Sequence, residues 1–350
     1  MEINDLLKNT GEWLKGQGED ADIVISSRAR LARNLVQFPF ISRATEPQKR
    51  RLEKLLRDTI ITACADCNLS YFSLADASAL DSRVLMERHL ISRELAEAEG
   101  PRGVAISPDE AISVMVNEED HLRMQVIHSG LDLKNTWQET SAIDNALEAH
   151  LNYAFSSKLG YLTACPTNVG TGLRVSVMLH LPGMVITKQI EKAFEAVSKM
   201  NLAVRGLYGE GTQAQGDFYQ ISNQITLGKS EEELLESVSA VVPALVRYER
   251  MARRTLLTEN RPTLEDRVFR SLGVLQNARI ISSQEALLHL SSLRLGISLG
   301  LVSQLEPAVI NELFILAQPA HLQKLEGREL EEHERDIARA SFIRKRLGKD

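Results

Sequence analysis

The most regular pattern in the chain lies at residues 173–181, where Leu173, Val175, Val177, Leu179 and Leu181 alternate with Arg174, Ser176, Met178 and His180. A period of two sends these sets to opposite faces of a strand, which predicts one core face and one face available to a ligand. Short apolar runs at 104–106, 112–116 and 122–127 are separated by Ser107-Pro108 and by Asn117-Glu118-Glu119-Asp120. They predict antiparallel neighbours joined by short loops. Further strands are expected at 22–25, running straight into Ser26 to Arg33, within 161–181, at 202–207 and near 218–227. Helical spacing appears in Leu52, Leu55, Leu56, Ile60 and Ile61 behind Pro47, in Ile190, Ala193, Phe194, Val197 and Met200, and over 140–157. Ser230-Glu231-Glu232-Glu233 is a capping box opening a helix that Pro243 should kink or divide, and from about 258 onward only helical patterns occur. The expected organisation is α+β: an N-terminal arm over 1–21, an antiparallel sheet flanked by helices over 22–255, and an all-α domain over 256–350.

Charge and composition narrow the function. A net charge of −6 argues against direct nucleic-acid binding, so any basic site must be local. No apolar run is long enough to cross a bilayer, and no secretory signal opens the chain. Three cysteines, Cys64, Cys67 and Cys165, cannot make a disulfide framework, and a reducing cytoplasm fits them. Cys64 and Cys67 have C-x-x-C spacing, but no second pair follows at zinc-ligand spacing, and two small helical residues is the simpler account.

Three polar clusters stand where a core would not tolerate them unpaired: Ser27 to Arg33, Asn117 to Arg123, and Arg205 to Gly211. Arg174 joins them from the polar face of its strand. Arginines gathered on loops beside an antiparallel sheet suit polyphosphate, because the guanidinium fork grips phosphate oxygens bidentately and keeps its charge. Neither a G-x-x-x-x-G-K-[ST] loop nor a G-x-G-x-x-G turn is present, so arginine side chains would have to hold the phosphates. Glu119 and Glu210 add one acid from each of two loops, and the three glycines around Glu210 imply a backbone that turns sharply and moves. Taken singly, each of these arginines and glutamates would be an ordinary solvated surface residue.

Two segments carry a resemblance. Asn117-Glu118-Glu119-Asp120-His121-Leu122-Arg123 and Cys165-Pro166-Thr167-Asn168-Val169-Gly170-Thr171-Gly172-Leu173-Arg174 resemble signature segments of the phosphagen (guanidino) kinases, over about residues 22–255. The resemblance implies that family's many-stranded antiparallel catalytic fold, with ATP and Mg²⁺ as cofactors and the metal held mainly through the phosphates. It implies an ATP site formed by Ser26, Ser27, Arg28, Ala29, Arg30, His89, Arg123, Arg174, Val175, Ser176, Val177, Met178, Arg205, Gly206, Leu207, Tyr208, Gly209 and Glu210. His89 and Met178 would sit near the adenine, Glu119 and Glu210 would hold the acceptor guanidinium, and Cys165 matches the family's active-site cysteine.

The chain departs from the small-molecule kinases in beginning almost at the catalytic domain and continuing into a helical one, as the bacterial protein-arginine kinases do. Glu334-Arg335-Asp336-Ile337-Ala338-Arg339-Ala340 contains the R-D-x-x-R-A pattern of that family, which implies an allosteric phosphoarginine site at Arg335, Asp336, Arg339 and Ala340. On a helix, Arg335 and Arg339 would share a face suited to a phosphoryl group, with Ile337, Ala340, Ile343 and Leu347 on the packing side. The resemblance further implies protein substrates bearing arginine, a stress-response repressor among them, an activator protein, a Clp-type ATPase/protease, and a homodimer or larger oligomer. The alternatives are a kinase of a free guanidino compound and a catalytically silent phosphoarginine-binding adaptor.

Overall fold

The computed structural model describes residues 3–7, 10–206 and 216–348. Ten strands occur among them: β1 Val24–Arg33, β2 Ser70–Ser73, β3 Gly103–Ile106, β4 Ile112–Val116, β5 Leu122–Ser129, β6 Phe155–Ser156, β7 Gly160–Tyr161, β8 Leu173–His180, β9 Leu202–Gly206 and β10 Phe218–Asn223. Eight form one sheet in the order β2-β3-β4-β5-β1-β8-β10-β9, every neighbouring pair antiparallel, and β6 with β7 makes a separate hairpin. The expected α+β class with an antiparallel sheet flanked by helices is what the chain adopts.

One face of the sheet carries Ala29, Leu31, Met124, Val126, Val175 and Val177 into a core closed by the helices Glu46–Ala63, Leu133–Glu148 and Glu231–Glu259. The first of these begins with a Thr45–Gln48 capping box and Pro47 in its first turn. The last opens with the Ser230–Glu233 box, in which the Ser230 N–H donates to Glu233 at 2.9 Å and the Glu233 N–H donates to Ser230 Oγ at 3.2 Å. It then runs through Pro243 as one helix of 29 residues, so the expected break does not occur. Burial of Val241, Val242, Leu245 and Val246 around the proline holds it there against the cost of the missing hydrogen bond.

The helix expected over 140–157 is Leu133–Glu148 instead. Its buried stripe hides polar residues: the Thr136 hydroxyl donates to the Asp132 carbonyl, the Thr140 hydroxyl to the Thr136 carbonyl at 2.7 Å, and Asp144 accepts from Arg33 at 2.6 Å. An apolar period therefore starts too late in the sequence to mark the helix's first turns. Residues 10–21 of the expected N-terminal arm are pinned to the rest of the chain. Trp13 and Leu14 are buried, Asn311 donates to the Leu14 carbonyl at 3.2 Å, and Arg294 donates to the Ala21 and Asp22 carbonyls at 2.9 and 3.0 Å.

From residue 231 on, the described residues form helices only. The helices beyond 261 gather Leu264, Val268, Leu290, Leu293, Leu313 and Phe314 into a second core that also takes in Ile25, Ile127, Met178 and Phe218 from the sheet. A third, smaller cluster joins Leu74, Leu85, Leu90 and Leu95 to Val104, Ile106 and Met115. The far face of the sheet is thus covered at both ends, so the expectation that the polar face of β8 is available to a ligand holds at Arg174, which lines a cavity, and fails at the residues beyond it. Ser176, Met178 and His180 are all buried and Arg174 is half-buried. His180 accepts from Arg294 at 3.0 Å through Nδ1 and meets Ser291 Oγ at 2.9 Å through Nε2.

Candidate active site

Strand register decides which arginines meet. Arg30 pairs with Arg174 across β1 and β8, Ala32 with Arg123 across β1 and β5, and Gln220 with Arg205 across β10 and β9, while Met178 is opposite both Ser26 and Gln220. Because directly opposed residues project to the same side, Arg28, Arg30, Arg123, Arg174 and Arg205 all rise from the far face of the sheet. All five are strand residues. Arg174 stands on its expected strand, and Arg123 and Arg205 lie within runs expected to be strands, whereas Arg28 and Arg30 belong to a cluster read as following the first strand. β1 extends through the whole Ser26 to Arg33 cluster, and Arg33 points the other way, buried against Asp144 with its guanidinium 3.5 Å from the Tyr161 ring centroid.

Four of the five line one cavity of about 480 Å³, together with Glu94, Glu118, Glu119, Cys165, Thr167, Asn168 and Gly172. The fifth, Arg28, donates to Gln220 Oε1 at 2.7 Å. Among the described residues Arg30 keeps a buried Nε with no hydrogen-bond partner, an unsatisfied donor that an anion would satisfy. The cluster is strongly self-repelling. Burial, with Arg123 and Arg174 adding to it, brings Arg28 down to about 10, and burial followed by Arg28, Arg123 and Arg174 holds Arg30 well below its ordinary value despite Glu118. Arg174 is lowered by burial and then by Arg205 and Arg123. A site that crowds cations in this way is complementary to several negative charges at once.

The acids come from the β4–β5 turn. Asn117 takes a positive φ of 59° and its side chain donates to the Lys49 and Pro101 carbonyls at 2.9 and 2.8 Å, which fixes the turn. Asp120 Oδ1 accepts from Asn34 Nδ2 and from the Ala164 N–H, both at 2.6 Å, tying the turn to the end of β1 and to the segment bearing Cys165. Glu118 is buried, paired to Arg123 and hydrogen-bonded by the Ser92 hydroxyl. Glu119 is exposed at the rim, yet desolvation in the groove, Asp120 and Glu118 push its carboxyl above the ordinary range in spite of Arg123. Cys165 Sγ lies 3.0 Å from Thr167 Oγ1.

Other expected residues are placed differently. Ser27 is fully buried, accepting from the Asp132 N–H and donating to the Gly130 carbonyl, both at 2.9 Å. Ala29, Val175 and Val177 point into the first core, so only their backbone could take part in the site. Met178 lies among Trp13, Leu14, Ile25 and Phe218 and does not line the cavity. His89 stacks edge-on against Trp13 at 5.2 Å and is brought to about 3 by burial, Arg28 and Arg30, so it is neutral beside them. Ser26 and Ser176 are buried, and Gly206 ends β9. Leu207, Tyr208, Gly209, Glu210 and Gly211 lie outside the described residues.

Glu94, Glu118, Asn168 and Gln220 were not singled out by sequence reasoning. Glu118 and Asn168 were within reach, since both lie in the segments that drew attention. Glu94 and Gln220 carry no local signal.

The tail pattern is also placed differently from expectation. Arg339 is buried, donating to the Ala317 and Ile281 carbonyls, both at 2.9 Å, and to Asp336, whereas Ile337 is 44% exposed. Arg339 and Ile337 thus exchange the faces assigned to them, because three acceptors inside the helical core outweigh the cost of burying the guanidinium. Ala340, Ile343 and Leu347 pack inward as expected, and Arg335, half-buried, donates to the Leu330 carbonyl at 2.8 Å.

Residues 51–252 match the family described as ATP:guanido phosphotransferase, C-terminal catalytic domain, and residues 261–350 match the protein-arginine kinase McsB C-terminal domain. The chain belongs to the protein-arginine kinase family. It is 49% identical to the protein-arginine kinase of Symbiobacterium thermophilum and 47% to that of Halothermothrix orenii, in each case over 99% of this chain and 100% of the relative. Among solved structures, a lombricine kinase superposes with a TM-score of 0.58 at 26% identity, covering 71% of this chain and 70% of that one. The duplicated taurocyamine kinase of Schistosoma mansoni with bound transition state analog components superposes at 0.61 and 27% identity, over 71% of this chain and 36% of that protein. Membership of this family makes the chain an enzyme of the ATP:guanido phosphotransferase class. No helix among the described residues is long and apolar enough to cross a membrane.

Proposed function

We propose that the protein transfers the γ-phosphoryl group of ATP to the guanidinium of arginine residues in proteins, within the cavity below the β4–β5 turn. The observation that carries this reading is the convergence of Arg30, Arg123, Arg174 and Arg205 on one cavity with Glu119 at its rim. The arginines would bind the triphosphate and offset charge on the equatorial oxygens in the transition state, the part of phosphoryl transfer that proteins chiefly supply. An arginine nitrogen is a poor nucleophile while protonated. Glu119 would orient the guanidinium and accept a proton from the attacking nitrogen as the N–P bond forms and the β–γ bridging oxygen leaves with ADP. Glu210 is proposed as its partner from the resemblance alone. Mg²⁺ is proposed to ride on the phosphates: the donors around the cavity are mainly guanidinium groups, and Glu118 is occupied by Arg123. That ion would supply further charge neutralisation.

Replacing Glu119 with Gln keeps its shape and removes the base. Turnover in a phosphoarginine assay is expected to fall on the order of 100-fold or more, with nucleotide affinity little changed. Since the base must be deprotonated and its carboxyl is raised, the acidic limb of wild-type kcat/KM should lie above the usual carboxylate range. Unchanged turnover in Glu119→Gln would overturn the assignment. Comparing free arginine with an unfolded arginine-rich protein as acceptor separates this reading from a small-molecule kinase, and absence of ATP consumption would point instead to a silent adaptor.

The wider setting is proposed with it on the resemblance: a cytoplasmic enzyme, at least dimeric, under an activator protein, acting on a stress-response repressor and marking proteins for a Clp-type protease. Regulation by phosphoarginine at the Arg335–Ala340 segment belongs to the same proposal. With Arg339 committed to Ala317 and Ile281, Arg335 and Asp336 would have to make first contact.

A further inference from the structure

The acidic side of the cavity holds more than the β4–β5 turn. Glu94 lies on the short helix Arg93–Glu97, well before the turn in sequence, yet it lines the same cavity as Glu119 and the arginines. Glu118 has its partners in Arg123 and Ser92. No hydrogen bond or salt bridge holds the Glu94 carboxylate among the described residues, and its helix neighbour Arg93 is engaged instead by Glu97 at 2.8 Å.

The helix is fixed relative to the turn by one side chain. Ser92 caps it, its Oγ accepting from the Leu95 N–H at 3.1 Å, and the same hydroxyl donates to Glu118. Buried Leu95 anchors the helix in the third apolar cluster, and its carbonyl accepts from Arg102 at 2.9 Å. Glu94 is therefore a free carboxylate on a positioned backbone, facing a site that must accept a cation.

A guanidinium presents five N–H donors in a planar fork. Glu119 can satisfy two of them and its proposed partner Glu210 two more, which leaves a donor for a further acid at the rim. The four arginines of the cavity repel such an acceptor, so carboxylates not already neutralised by them are what can draw it in. Resting on the proposed arginine acceptor, we infer that Glu94 is a specificity-determining residue that binds the acceptor guanidinium beside Glu119 and selects a cationic side chain entering from the rim. Its negative charge also contributes to the raised carboxyl of Glu119.

The test is steady-state kinetics of Glu94→Gln and Glu94→Lys in the full chain, with an unfolded arginine-rich protein as acceptor and ATP varied separately. Glu94→Gln should raise KM for the protein on the order of 10- to 100-fold, the range of one lost charged contact, with KM for ATP and kcat within about twofold. Glu94→Lys should do worse. In Glu94→Gln the acidic limb of kcat/KM should also move to lower pH, because Glu119 loses a neighbouring negative charge. Glu94 is exposed, so equal melting temperatures for variant and wild type are expected. Protein KM within twofold of wild type in both variants overturns this inference while leaving arginine phosphorylation in place. A wild-type enzyme that consumes ATP but leaves arginine unmodified overturns both.

Discussion

Arg30 shows what the site requires of single side chains. A buried guanidinium nitrogen without an acceptor among the described residues, surrounded by Arg28, Arg123 and Arg174, costs folding free energy, and an anion bound in the proposed site would offset that cost. His89 adjusts to the same field by staying neutral. Its folded value of about 3 lies below that of the unfolded chain, near 6.5. As pH falls below about 6.5 the unfolded chain takes up a proton that the folded chain refuses, so this contribution is fully present above 6.5 and is lost on the way to 3. His180, held low by burial and by Arg294 and Arg253, acts in the same direction. His89→Asn, which tolerates the positive φ of 60° at that position, should be less acid-sensitive than wild type. Between pH 7.5 and 5.5 it should recover roughly 1 kcal/mol of pH dependence, allowing for partial exposure, as read by denaturant unfolding at the two pH values. Equal slopes for the two proteins would mean that His89 is solvated.

At the scale of elements, the β4–β5 turn is a rigid acid-bearing arm. Asn117 fixes its backbone, the His121 N–H donates to Asn34 Oδ1 at 3.0 Å, and Asp120 joins it to β1 and to the approach of Cys165. Asp120→Ala removes the shared acceptor of Asn34 and Ala164 without touching the cavity wall. It should cost about 2–3 kcal/mol in stability and, if Glu119 is the base as proposed, lower kcat on the order of 10-fold or more through its lost alignment. Stopped-time phosphoarginine assays with urea unfolding would measure both, and full activity in a destabilised variant would show that the turn holds its shape without Asp120. Much of this element was legible. The run from Asn117 to Arg123 flagged both the turn and its chemistry, and the alternation of β8 gave the correct core face. The covering of β8's other face by helices more than a hundred residues away was not legible, because no local pattern encodes a distant partner. The same holds for Glu94, whose helix carries no motif, and for Arg339, whose burial depends on the carbonyls of Ala317 and Ile281. The arginines drew attention as a group, but only the register of five strands shows that they share a face.

For the whole molecule, the question is what fastens the helical end to the sheet. Apolar packing contributes through Ile25, Ile127, Met178 and Phe218, and a buried polar chain runs alongside. Glu87 accepts from the Ala320 and His321 N–H groups at 2.8 and 3.1 Å and meets His321 Nδ1 at 2.7 Å, capping the helix Pro319–Glu326. Next to it Arg88 makes a bidentate pair with Glu110 at 2.7 and 2.5 Å, with His321 Nε2 at 3.5 Å. Both partners are almost fully buried, so their worth depends on being intact. Arg88→Met strands Glu110 as an unpaired buried acid, whose carboxyl burial already pushes up. The loss should be about 3–5 kcal/mol. Glu110→Leu strands the guanidinium in the same way. The double variant removes both charges and should recover much of the loss, giving a coupling energy of at least about 2 kcal/mol in a double-mutant cycle. Because His89 and Ser92 follow directly from the Glu87–Arg88 anchor, Arg88→Met should also lower activity, and the double variant should restore part of it. Additive losses in the cycle would show that Arg88 and Glu110 act separately and that their pairing does not help to hold the helical end in place.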